Sequence, residues 1–395
     1  MDSLPQTRKP PQSLLPLPWD QWPAEARLTV GLVMIWSLLG LLVLTSASWW
    51  VGDREMGDAA YYIKRQGLWL VASLALFWFA IRTSLRRWLH LAPTALLIGT
   101  VLVAATLVVG STVNGASRWL VIGPIQIQPT ELVKPFVVLQ GAVIFSHWRR
   151  IGSDQKLLWL GVFGLLLLLI LKQPNLSTAA LTGLLLWLMA LAGGLPMLQL
   201  LGAAGGGALL GATSILINQY QRDRVTSFLN PWKDDQGAGY QLVQSLLAIG
   251  SGGVLGQGFG LSTQKLSYLP IQTTDFIFAV FAEEFGLVGC LMFLLFLVLF
   301  GFVGLRIALS STSNQHRLVA IGCTTLLVGQ SILNIAVATG AMPTTGLPLP
   351  MVSYGGNSLL SSLLVAGLLV RCSLESSGME SARPRRRRPP AAPIG

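Results

Sequence analysis

The chain has 395 residues, 52% of them hydrophobic and 11% charged, with a mean hydropathy of +0.63 and a net charge of +11. Soluble domains carry about 25% charged residues, so the composition excludes a string of soluble domains and points to an all-α polytopic membrane protein. In a soluble protein the charge would suggest nucleic acid; here it reads as the positive-inside bias of a membrane protein, and no nucleic-acid partner is expected.

Residues 1–27 are polar and proline-rich and read as a cytoplasmic N-terminal tail. The first apolar run is too long for the h-region of a cleavable signal peptide. Apolar runs predict about ten transmembrane helices, over 28–50, 66–83, 91–110, 130–148, 156–172, 177–194, 196–217, 275–304, 317–340 and 347–371. Pro174 and Asn175 separate the fifth from the sixth, so that pair reads as one broken hairpin. An even number of spans puts both termini on one side. Of the 27 Lys and Arg, seventeen fall on the tails and the loops that share their side, and nine on the opposite loops. Both termini are therefore expected in the cytoplasm. The last residues, 373–395, include RPRRRRPP and read as a basic, disordered cytoplasmic tail. Cys290, Cys323 and Cys372 lie in or beside apolar runs without metal or redox spacing and read as small apolar residues.

Between the third and fourth spans lies NGASRWLVIGPIQIQP, with Arg118 and Trp119 in an outer loop. Arg118 has the forked donors that suit phosphate; Trp119 is equally an interfacial anchor. The fourth span places Glu131 and Lys134 three residues apart on one helix face. They form either an orienting ion pair or the lining of a substrate cavity. The large extracytoplasmic loop, 218–274, separates helices 7 and 8 and holds Arg222, Asp223, Arg224, Asp234, Asp235 and Lys265. Within it, YQLVQSLLAIGSGGVLGQGFG is apolar but short of a span, and its first half reads as an interfacial or re-entrant helix. Asp275 follows, as a helix cap or as a general base for a substrate on the outer face. Glu283 and Glu284 lie about 12 Å deeper along that helix and must face protein or water. Finally MPTTGLPLPMVSYGGN breaks the apolar pattern with Pro343, Pro348 and Pro350 and offers Thr344, Thr345 and Ser353. Proline removes helix hydrogen bonds, so 342–350 is expected to be an outer loop whose freed backbone groups need protein or water.

Taken together, these segments resemble the SEDS family (shape, elongation, division and sporulation proteins). NGASRW followed by IQPTELVK is similar to that family's loop and fourth span, and QPNLSTA to its QPDLGTA. LPIQTTDFIFAVFAEEFG resembles the motif around its essential aspartate, and MPTTGLPLPMVSYGGNS its signature. The resemblance spans 28–372, the expected transmembrane glycosyltransferase domain. SASWW and YYIKRQ are similar to the division branch (FtsW-like), with the elongation branch (RodA-like) as the near alternative.

The resemblance implies a peptidoglycan glycosyltransferase that polymerises lipid II at the outer face of the bacterial plasma membrane, at the division septum. It maps Asp275 onto the essential aspartate, which takes a proton from the acceptor 4-hydroxyl. Arg118 becomes a candidate clamp for the leaving pyrophosphate, and Glu131 and Lys134 line the central cavity. Thr344, Thr345 and Ser353 belong to the substrate side, and Glu283, Glu284 and the three prolines to the structural or cavity side. A divalent cation, Mg or Mn, is compatible with this chemistry, though no metal ligand is identified. The implied partners are a class B penicillin-binding protein, a transpeptidase, and other septal division proteins. Asn175 stands where the family usually has Asp, so a charge-based role there is not carried over. A lipid II flippase and a non-catalytic scaffold remain the alternatives. Intramembrane charge and broken helices suit a transporter, but the carboxylate below a large outer loop favours chemistry on the outer face.

Overall fold

A computed structural model describes residues 19–381 apart from 114, 115, 124 and 267. The first eighteen residues and the basic segment from 382, both expected as tails, lie outside the described residues. In chain order, α1 (Ala24–Met56), α2 (Tyr61–Arg82) and α3 (Leu85–Val109) lead into three short strands: β1 (Ser111–Val113), β2 (Ala116–Ile122) and β3 (Ile125–Ile127). Next come α4 (Pro129–Ser146), α5 (Ser153–Lys172), α6 (Leu176–Ala192) and α7 (Met197–Ile217). The large loop contributes α8 (Gln219–Leu229) and α9 (Tyr240–Gly252), and α10 (Ile277–Ser310), α11 (Asn314–Ala338) and α12 (Gly356–Ser381) complete the bundle.

Seven helices among the described residues are long and apolar enough to cross a membrane: α1, α3, α5, α7, α10, α11 and the Gly356–Ser376 part of α12. Helix α6 is apolar but shorter. The two others at expected spans are diluted by polar groups: α2 opens on Tyr61–Gln66, and α4 carries Glu131 and Lys134.

The fold is all-α as expected, with one short sheet that the apolar pattern does not show. The segment around Arg118 is an antiparallel three-stranded sheet, ordered β1-β2-β3. Short β-branched runs on either side of a Gly-Pro dipeptide pair with each other because they are too short for a helix and have no other backbone partner. The last helix also runs past the expected end at 371. Glu375 is integral to the packing there, accepting from the Leu85 backbone N–H at the start of α3 and from Arg371, both at 2.7 Å.

The core forms where α1, α2, α4, α6, α10, α11 and α12 pack their buried apolar side chains together. Its tightest seam joins α2 to α12, where Gly356 lets the Trp69 ring lie directly against the backbone. By contrast α7 is almost wholly exposed, as a helix facing lipid would be.

Helix α10 is broken. Gly286 adopts φ 64° and ψ −166°, and a Cβ there would overlap the backbone of Gly256. The segment just after α9 repairs the break. The N–H groups of Gln257 and Gly258 donate to the carbonyls of Glu283 and Glu284, at 2.9 and 3.0 Å. Leu287 and Val288 donate to the carbonyls of Gly253 and Val254, at 3.0 and 3.1 Å. The stretch read as interfacial or re-entrant is thus a helix that runs alongside the first part of α10 and returns as a loop to Asp275.

Candidate functional site

Two buried charge clusters support the site from below. On α4, Lys134 donates to Glu131 at 2.6 Å and to Gln330 of α11 at 2.9 Å, and both charged side chains are buried. Gln330 in turn donates to the Pro348 carbonyl at 2.8 Å. This pair is therefore an orienting network tied to the proline-rich loop, with no open face of its own.

Glu283 and Glu284 form the second cluster. Glu283 accepts from Ser262 at 2.5 Å and from the backbone and hydroxyl of Thr263, each at 3.0 Å. Glu284 pairs with Lys265 at 2.7 Å and accepts from Ser46 of α1 at 2.5 Å. Each buried charge thus has a partner, as burial requires. The cluster pins the returning loop to α1 and α10.

Above them, the loop 342–350 is extended rather than helical. Its prolines leave carbonyls without helix partners, and neighbouring side chains take them up. Asn334 of α11 donates to the Leu347 and Asp275 carbonyls, both at 2.8 Å. Ser353 donates to the Thr274 carbonyl at 2.6 Å and accepts from the Leu349 N–H at 2.8 Å. Ser353 therefore serves the backbone. The Thr344 carbonyl accepts from Arg224 at 3.1 Å; the side chains of Thr344, Thr345 and Pro343 are half-buried at the rim, and Pro350 is buried behind it.

Asp275 does not cap α10. The capping position is Phe276, and the helix has no side-chain cap. The carboxylate instead meets two arginines at Gly346. A Cβ built on Gly346 would lie 3.7 Å from Asp275 Oδ2, 3.8 Å from Arg118 Nη1 and 3.9 Å from Arg224 Nη2. The backbone there has φ 74°, a conformation that favours glycine. Arg118 is anchored through Nε and Nη2, which donate to the Gln173 and Pro174 carbonyls at 3.2 and 2.6 Å. Arg224 is anchored through Nη1 on Thr344 and stacks over the Tyr220 ring at 4.5 Å. Each guanidinium thus commits part of its fork to the backbone and leaves one nitrogen toward the centre.

Burial pushes the Asp275 carboxyl above its ordinary value, and Arg224 and Arg118 pull it back. Burial also lowers the Arg118 pKa, opposed mainly by Tyr220. One acid beside two fixed cations suits a base next to an anionic leaving group. It builds no metal cage, and among the described residues no group of three His, Cys, Asp or Glu gathers.

Sequence reasoning missed Arg224 as a site residue; nothing local separates it from the exposed Arg222 on the same helix. It also missed Gln330 and Asn334. Their i, i+4 spacing inside an apolar helix is a readable signal, since buried polar groups in a span need a purpose. Asn175 is buried and accepts from the Thr178 N–H at 3.3 Å, capping α6, a role that needs no charge.

The cell cycle protein family model FTSW_RODA_SPOVE matches residues 26–378. The chain belongs to this family. It is 54% identical over 361 residues to the probable peptidoglycan glycosyltransferase FtsW of Synechocystis sp., covering 91% of this chain and 92% of that one. It is 36% identical over 360 residues to the protein of the same name in Escherichia coli O157:H7, covering 88% and 85%. A chain solved in a study of polymerization and crosslinking by a peptidoglycan synthase complex superposes with a TM-score of 0.75 at 31% identity, covering 91% of this chain and 99% of its own. Thermus thermophilus RodA gives 0.66 at 29% identity, covering 90% and 97%. The resemblance read from the motifs is borne out.

If the α4 pair is an orienting network, breaking one partner strands a buried charge. Lys134→Met is expected to cost about 3–5 kcal/mol and to lower the melting temperature in detergent. Glu131→Leu/Lys134→Met should recover most of it. An unchanged melting temperature for Lys134→Met would assign Lys134 to a ligand instead.

Proposed function

We propose that this chain is a peptidoglycan glycosyltransferase that polymerises lipid II at the outer face of the plasma membrane. The observation that carries this reading is the convergence of Asp275, Arg118 and Arg224 on Gly346. Asp275 accepts the proton of the acceptor sugar's 4-hydroxyl. That oxygen attacks the donor's anomeric carbon, and the bond from this carbon to the pyrophosphate oxygen breaks with inversion. Undecaprenyl pyrophosphate leaves, its new charge met by the guanidinium ends of Arg118 and Arg224 that face Gly346. Magnesium binds through one or two carboxylates together with substrate phosphates, so Asp275 is the residue that would contribute to a divalent cation; the two arginines already supply positive charge, and no step is routed through a metal.

Ten spans, with both termini cytoplasmic, fit this reading, because they put Asp275 and its arginines on the outer side. The septal role and the division branch are supported by the FtsW-named relatives. The outward face of α10 past its break, with Leu291, Met292, Leu295 and Phe302, offers a surface for the transmembrane helix of a class B penicillin-binding protein and through it the septal proteins. Glu131 and Glu284 are closed into pairs with Lys134 and Lys265, and Glu283 is held by Ser262 and Thr263, so these charges do not line a path, which favours the enzyme over the flippase.

The test offers lipid II in detergent, with no membrane to cross, to the chain bound to its transpeptidase partner. Wild type is expected to make glycan, and Asp275→Asn to lose at least about a hundredfold while remaining folded and partner-bound. Equal polymer from both would remove Asp275 as the base. The pH profile gives a second check. A base with a raised pKa is fully active above that pKa and fails as pH falls through it. Arg224→Gln removes a group that lowers the Asp275 pKa, so its acidic limb should move to higher pH. A limb that stays put would show that Arg224 does not sense the carboxylate.

A further inference from the structure

Beside the reaction centre lies a group of side chains that the transfer step does not use. Helix α2 opens with Tyr61, Tyr62 and Arg65. The Tyr61 and Tyr62 rings meet edge to face at 5.3 Å, and Tyr62 meets Tyr354 the same way at 5.0 Å. Arg65 donates to the Tyr61 hydroxyl at 2.6 Å and sits 5.4 Å from that ring's centroid. The three tyrosines are half-buried and Arg65 is exposed.

This row is held rigidly to the site. Gln66 donates to the Ser353 carbonyl and accepts from the Gly355 N–H, both at 3.2 Å, so it brackets Tyr354 from either side. The Tyr354 N–H donates to the Thr273 carbonyl at 2.8 Å, two residues before Asp275. An aromatic belt would also place tyrosines at a membrane interface. A belt residue, however, sits on a lipid-facing helix surface. Tyr354 sits on the loop that builds the reaction centre, in a row that ends in a cation.

We propose that Tyr61, Tyr62, Tyr354 and Arg65 form a platform that holds sugar rings of the growing polymer next to the reaction centre. This rests on the glycan-polymerase reading above. The apolar C–H face of a pyranose packs on an aromatic ring, and tyrosine offers that surface with little conformational freedom to lose. The remaining N–H groups of Arg65 suit the acetamide oxygens and carboxylates that such a polymer carries along its length. Holding the strand between additions makes successive transfers intramolecular and so lengthens the product.

The experiment uses the full chain with its transpeptidase partner and the variants Tyr62→Leu, Tyr62→Leu/Tyr354→Leu and Arg65→Gln. One arm measures binding of soluble, uncross-linked glycan oligomers; the other measures product length and the initial rate of lipid II consumption. Each lost tyrosine is expected to weaken oligomer binding about three- to tenfold and to shorten the product by a larger factor than it slows the initial rate. Equal oligomer binding by wild type and variants, or unchanged product length, would overturn the platform and leave the tyrosines as membrane anchors. Should the double variant fail to fold, Arg65→Gln decides, because its side chain is exposed. A wild type that binds oligomers but consumes no lipid II would sink the polymerase reading and keep the platform. Polymerisation by a wild type that does not bind oligomers would do the reverse.

Discussion

Inside a bilayer each backbone N–H and carbonyl needs a partner from protein, because lipid offers none. Helix α10 violates the simple solution by breaking at Gly286, and the segment just after α9 makes good the loss with four backbone hydrogen bonds. That exchange fixes where the segment after α9 turns back toward Asp275. The returning loop is then held by Glu283 and Glu284, with Lys265 and Ser46 closing the cluster against α1. Asp275 sits at the top of this assembly, and its backbone carbonyl is held by Asn334 of α11.

The charges divide by burial into two kinds. Lys134 with Glu131 and Lys265 with Glu284 are buried and mutually satisfied. Such pairs are costly to break, because losing one partner leaves the other charge buried and unpaired. At the rim, Asp275, Arg118 and Arg224 are only partly buried and keep capacity for a substrate. The proline-rich loop links the two kinds: Gln330 carries the α4 network to Pro348, and Arg224 meets the same loop at Thr344. The prolines matter for what they leave open, since each removes a competing helix bond and frees a carbonyl for a side chain to hold.

Much of this was legible in the sequence. Apolar runs located the helices, and the cost of charge in lipid singled out Glu131, Lys134, Glu283 and Glu284 before any contact was known. Asp275 stood out by its place at the end of the outer loop. The rest depended on contacts distant in sequence. Arg118 lies on a strand because the chain there pairs with itself over segments too short to show a period of two. Arg224 differs from Arg222 only in which face of α8 meets the loop 342–350. The break in α10 turns on one glycine, and its meaning comes from Gly253–Gly258, about thirty residues earlier in the sequence. Gln330 and Asn334 were readable from spacing alone, since two polar side chains one turn apart in an apolar helix mark a face with work to do.

The central claim is that two arginines aimed at Gly346 hold a pyrophosphate beside a carboxylate base. Binding of undecaprenyl pyrophosphate to the detergent-solubilised chain tests it without turnover. The account predicts that Arg118→Gln and Arg224→Gln each weaken binding at least about tenfold, the scale of a lost charge-assisted hydrogen bond, whereas Asp275→Asn, which removes a nearby negative charge, binds as well as wild type or better. Arginine variants that bind like wild type, or an Asp275→Asn variant that fails to bind while folded, would contradict it.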